Sequence, residues 1–185
     1  MLMKKLTYFI PLAVVVVVGV LAMMQLKQVN DGKSVRDLPS VLINRPVPEL
    51  NLAAIGGQDR GWGTKDLLGQ VTIVNLFGSW CVACLQEHPF LMRLKEQNAV
   101  PIFGIDWREK DPVAGPRWLA KYGNPYTLIG GDPDSKAAIA FGVTGAPESF
   151  IVDKKGVIRY KQTGPIDGRV WTETLLPLIV ELRKE

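Results

Sequence analysis

From Val71 to Phe77 every residue except Asn75 is β-branched or apolar, and four residues later the chain reads Cys81-Val82-Ala83-Cys84. An almost unbroken run of this kind predicts a central strand buried on both faces. Leu85 to Gln97 then places Phe90, Leu91 and Leu94 at helical spacing, and Val100 to Ile105 is a second apolar run. Strand, helix and strand in this order predict a right-handed parallel crossover, hence an α/β sheet with a cysteine pair where its first strand becomes a helix.

Downstream, a helix is expected from about Pro112 to Tyr122, a short strand near Tyr126 to Ile129, and a short helix from Ser135 to Phe141. Ser149 to Asp153 and Val157 to Tyr160 flank Lys154-Lys155-Gly156 and read as a hairpin. A last helix is expected from about Arg169 to Arg183, kinked or split by Pro177. There is no internal repeat and no Gly-rich phosphate loop.

At the other end, Leu6 to Leu26 is 21 residues without a charge. As a helix it would span about 31 Å against a hydrocarbon core of about 30 Å, so it reads as a membrane anchor. Its length exceeds that of a signal-peptide core, the competing reading. Lys4 and Lys5 precede it, and the slight basic bias favours an N-terminus inside and a domain outside the cytoplasm. The expected organisation is an anchor over 1–26, a polar, proline-bearing tether over 27–44 and one domain over 45–185. The net charge of +4 does not mark a nucleic-acid binder: Lys4, Lys5 and Lys27 are the only charges in the first thirty residues, and 19 basic residues face 18 acidic ones in the rest.

The chain holds two cysteines and one histidine, which excludes a four-thiolate zinc site, a four-cysteine iron–sulfur cluster and a disulfide-stapled scaffold. Haem attachment needs a histidine directly after the second cysteine, where Leu85 stands. Zinc would have to recruit Glu87 and His88 beside the two sulfurs, a poor supply of ligands. A structural disulfide closing so short a loop would remove only about 2 kcal/mol of unfolded-chain entropy. At a helix N-terminus, unpaired backbone N–H groups favour a thiolate. Cys81 there can attack a disulfide and Cys84, about one turn further in, can expel the product. The pair is its own redox group, and no cofactor or metal is expected.

Arg45-Pro46-Val47-Pro48-Glu49, Trp80 to His88, Tyr122-Gly123-Asn124-Pro125-Tyr126 and Gly142 to Phe150 together resemble the thioredoxin superfamily. More narrowly they resemble its TlpA-like, membrane-anchored cytochrome c maturation oxidoreductases of the CcmG/DsbE type. The resemblance implies a thioredoxin fold, a central mixed sheet flanked by helices, with an inserted helix and strand in roughly 106–130. It implies that Pro147 is a cis-proline lying against Cys81 and Cys84. It places Trp80, Glu87 and Glu148 around the active-site groove, where the two carboxylates could tune Cys81 or serve Cys84 as a base. His88 is expected to orient or cap rather than catalyse. Two departures stand out: Val82-Ala83 replaces a proline or hydroxyl residue common in relatives, and Asp106-Trp107 stands where they often carry Asn-Tyr.

The function implied is a periplasmic reductase, tethered to the bacterial inner membrane by one span and contacting lipid through it. It would reduce disulfides in apocytochrome c or in the haem-ligation partner that carries its thiols. Electrons would come from a membrane thiol-disulfide transporter of the DsbD/CcdA type. The alternatives are a general extracytoplasmic reductase of the TlpA/ResA kind and a non-enzymatic module that binds apoprotein and uses the disulfide only structurally.

Overall fold

The computed structural model describes residues 10–30 and 40–185. The chain divides into two compact units, Met1–Leu38 and Pro39–Glu185. The first contains helix α1, Ile10–Asn30. Its described side chains, Pro11 and those from Ala13 to Met24, are exposed. Among the described residues no helix is long and apolar enough to cross a membrane. The start of the expected anchor (residues 1–9) and the middle of the tether (31–39) lie outside the described residues.

The second unit is built on seven strands: β1 (Asn51–Ala54), β2 (Trp62–Gly63), β3 (Thr72–Phe77), β4 (Ile102–Trp107), β5 (Leu128–Asp132), β6 (Glu148–Val152) and β7 (Ile158–Thr163). They form one sheet in the order β2-β1-β5-β4-β3-β6-β7. β3, β4 and β5 run parallel, while β6, β7, β1 and β2 join antiparallel. Helix α2, Val82–Glu96, makes the crossover from β3 to β4. Helix α3, Ala114–Tyr122, and β5 supply the inserted helix and strand, followed by the short helix α4, Lys136–Ala140.

Every residue of β3 and β4 is buried, as a strand covered on both faces requires. Because side chains alternate, one face of β3 adds Ile73 and Phe77 to a core shared with Cys81, Cys84, Leu91 and Trp118. The other face adds Val74 and Leu76 to a core with Trp62, Phe103, Phe141 and Phe150.

Several local expectations shift. Helix α2 starts at Val82, directly after its N-cap Cys81, as the placing of that cysteine at a helix N-terminus expects, but it runs through Pro89. The end of the expected tether is not free: Asn44 N–H donates to Ile158 O, which ties it to the β6–β7 hairpin, as Val47 N–H, donating to Gly156 O, ties the residues just beyond. The terminal helix, α5 (168–182), changes its winding just before Pro177. An α turn, Gly168–Val170, passes through a π turn, Trp171–Leu175, into a second α segment, Leu176–Leu182. The wider π turn rewinds the backbone just before the residue that cannot donate.

Candidate active site

Cys81 leaves β3 through a tight turn, its N–H donating to Gly78 O (3.0 Å), and caps α2 in an extended conformation. Cys84 N–H donates to Cys81 Sγ (3.0 Å), so the sulfur occupies the place that a serine or aspartate oxygen takes at other helix starts. The two cysteines are joined in a disulfide with their Cα atoms 5.2 Å apart. The burial differs from a freely exposed nucleophile: Cys81 is 5% exposed and Cys84 1%. The residues on either side of Cys81 are exposed, Trp80 at 50% and Val82 at 73%.

Trp80 is not core packing. Its Nε1–H donates to Trp107 O (3.0 Å) and its ring meets that of Trp107 edge to face. Gly78 is required beneath it, since a β-carbon there would approach the indole to 2.5 Å. Trp80 and Ser79 form one wall of a pocket of about 520 Å³, and Arg108 to Asp111 of the insertion form the other.

Ala146–Pro147 is a cis peptide bond, where the resemblance implied one. The register pairs Leu76 with Glu148, so Pro147 lies at the sheet end from which Cys81 emerges.

Glu87 does not lie on a solvated helix face. It is buried under α2, Asn75 Nδ2–H donating to its Oε1 and Ile166 N–H to its Oε2, each at 2.8 Å. Burial pushes its carboxyl up to about 7 against the pull of these two donors. Asn75 also donates to Ser149 Oγ (2.9 Å) and accepts from Tyr126 OH (2.8 Å), so the polar break in β3 is the hub of a buried network.

Glu148 requires a correction. Ser149 faces Asn75 and Glu87, so the alternation of β6 sends the Glu148 side chain to the opposite face of the sheet, away from the cysteines. There it pairs with Lys161 Nζ (2.9 Å) and accepts from Thr144 N–H (3.1 Å) and Thr144 Oγ1–H (2.6 Å). It is no base for Cys84; it closes the 144–148 loop around Pro147.

His88 is buried against Trp118, ring centroids 4.3 Å apart, and its Nε2–H donates to Gly123 O (3.1 Å). A carbonyl only accepts, so this nitrogen carries the ring proton; burial lowers the His88 pKa, against the opposing pull of the Gly123 and Tyr122 carbonyls. Glu87 and His88, which a zinc reading needs, thus have other partners.

A second acidic site escaped the sequence reading. Glu109 accepts from Ser79 twice, Oε1 from the backbone N–H and Oε2 from the hydroxyl (2.8 Å). Asp106, at the end of β4, is buried beside it. Asp106 was visible in the sequence only as a departure from the family pattern, and Glu109 sits in an irregular loop with no periodic signal.

Residues 43–175 match the family model described as Redoxin. A thiol:disulfide interchange protein DsbE of Allochromatium vinosum is 44% identical over 144 residues, 78% of this chain and 79% of that one. DsbE of Pseudomonas aeruginosa is 38% identical over 183 residues, 99% of this chain and 98% of that one. A crystal structure assigned to DsbE of Chlorobium tepidum, 18% identical, superposes with a TM-score of 0.64 over 74% of this chain and 95% of that one, which bears on the fold alone. With a redox-capable cysteine pair capping a helix of a thioredoxin-type sheet, and relatives that match over nearly its whole length, the chain belongs to the Redoxin family and within it to the DsbE thiol:disulfide interchange proteins.

Proposed function

We propose that this protein is a membrane-anchored periplasmic reductase of cytochrome c maturation, with Cys81 attacking and Cys84 resolving. The observation that carries the reading is the Cys81 sulfur at the N-cap of α2, with the Cys84 N–H aimed at it. In the reduced protein that N–H and the helix N-terminus favour a Cys81 thiolate. The thiolate attacks a client disulfide, forming a mixed disulfide and releasing one client thiolate. Cys84 then attacks Cys81 Sγ, releasing the second client sulfur and leaving the Cys81–Cys84 disulfide. Two electrons pass to the client, and each departing sulfur takes a proton.

Glu87, three residues beyond Cys84 on the same helical face, titrates near neutrality and is suited to take the Cys84 proton. Pro147 offers no backbone donor, leaving neighbouring backbone free to pair with an extended client segment beside Cys81. Trp80 and Val82 form the exposed apolar rim of that contact.

The client is apocytochrome c or its haem-ligation partner, and electrons return through a membrane transporter of the DsbD/CcdA type. The uncharged stretch Leu6 to Leu26 supports a single inner-membrane span in contact with lipid, with the C-terminal domain in the periplasm.

The test is thiol release by reduced full-length protein from two peptides with an internal disulfide, one carrying a CxxCH haem-binding motif and one unrelated. The reading expects faster reduction of the haem-binding peptide. Equal rates would favour a general reductase, and no thiol release from either would refute the reading.

A further inference from the structure

The Asp106–Glu109 pair plays no part in the exchange steps above, yet Glu109 holds Ser79, two residues before Cys81. Asp106 is buried, and its Oδ1 has no donor. The group it meets is another acid, Glu109, both of whose oxygens already accept from Ser79. Two ionised carboxylates in contact at a buried position repel strongly. One proton on Asp106 removes the conflict: it supplies the missing donor and converts repulsion into an O–H···O⁻ bond, while Glu109 stays anionic for Ser79.

The surroundings fit this state. A β-carbon at Gly115 of α3 would fall on the Asp106 carboxyl, so glycine makes room for it. Neither acid is in an ion pair among the described residues. Arg108, Lys110 and Asp111 line the pocket around Glu109, and Asp111 is paired with Arg117 of α3. On the sheet side the titratable neighbour is Tyr126 of the buried network, which also meets Glu87. Burial first, and Glu109 second, push the Asp106 carboxyl up to about 8.

Ser79 is a central residue of the Gly78–Cys81 turn. We infer that Asp106 is a positioning residue for exchange at Cys81: a proton shared with Glu109 locks Ser79, and through it the turn that presents the attacking sulfur, while loss of that proton releases the clamp. The inference rests on the reading of Cys81 as the nucleophile. On deprotonation the proton passes to solvent, and Glu109 swings from Asp106 into the adjoining pocket.

The clamp is testable in the oxidised full-length protein, where no thiol titrates. The Ser79 amide proton should shift upfield as pH rises through the titration of the Asp106 carboxyl carbon, with one midpoint for both, followed by NMR. Asp106→Asn should abolish the Ser79 transition and Glu87→Gln should leave it in place. Different midpoints in the wild type, or a Ser79 transition that survives Asp106→Asn, would overturn the inference, and the first comparison needs no variant.

In exchange, the ratio of wild-type to Asp106→Asn rate, which cancels thiol ionisation, should fall on the order of tenfold between pH 6.5 and 9, the scale of a lost hydrogen bond to a charged group. A constant ratio would overturn the positioning role. Absence of exchange in the wild type at every pH would overturn the functional reading and the positioning role with it, while the NMR comparison would still decide the clamp.

Discussion

Glu87 makes the stability of this fold depend on pH in a direction opposite to that of most carboxylates. Burial raises its titration from 4.5 to about 7, so the native state holds the proton more tightly than the unfolded chain does. The contribution is therefore fully present below about pH 4.5 and is lost as pH rises to about 7. At 1.36 kcal/mol per pH unit the loss amounts to about 3 kcal/mol. The perturbation is Glu87→Gln, and the assay is urea unfolding of the oxidised protein from pH 4 to 8. Asp106 adds a slope of the same sign, and His88, with its lowered pKa, one of opposite sign. Both cancel in the wild-type minus variant difference. That difference should change by about 3 kcal/mol across the window, with the variant gaining relative stability as pH rises. The hydrogen bond that glutamine loses to Asn75 or Ile166 shifts the whole curve but not its slope. Parallel curves would refute the assignment of a buried, proton-holding Glu87.

Lys161→Met should destabilise by about 3–5 kcal/mol, because it strands the Glu148 carboxylate in the core. Adding Glu148→Leu should recover most of that loss in the same unfolding assay, and no recovery would show that Lys161 acts otherwise. Trp62 is buried, with Nε1–H donating to Gly104 O (2.9 Å). Trp62→Phe should cost about 1–3 kcal/mol by chemical denaturation, chiefly from the orphaned carbonyl, while leaving the disulfide-exchange rate intact.

Where hydrophobic period and turn chemistry agree, the fold is legible. β3 announces itself as a continuous apolar run, and the β6–β7 hairpin by the glycine between two β-prone stretches, Gly156 taking φ +76° as the turn requires. β5 is less visible. It extends through Gly130, Gly131 and Asp132, residues that individually disfavour strands. The reason is tertiary: Ala53 and Ala54 of β1 pair with those glycines, and a β-carbon at Gly130 would collide with Leu52. β1 and β2 are too short to show alternation.

At the site, the cysteine pair and its helix are written in local sequence, whereas the carboxylates depend on which face each strand residue takes. Glu87 and Glu148 look alike as acids near the motif. Hydrogen bonds from Asn75 and Ile166 hold the first beneath α2, and strand alternation removes the second to the far face. The Ser79–Glu109–Asp106 cluster joins residues up to thirty positions apart through an irregular loop, which no local pattern encodes.

The division of labour between the two sulfurs is tested most directly by trapping. In cells carrying Cys84→Ala, a disulfide-linked adduct should accumulate through Cys81, disappear on reduction and be absent from the Cys81→Ala variant. Recovery of only unlinked Cys84→Ala protein, or equal trapping by both single variants, would contradict an attacking Cys81 and a resolving Cys84.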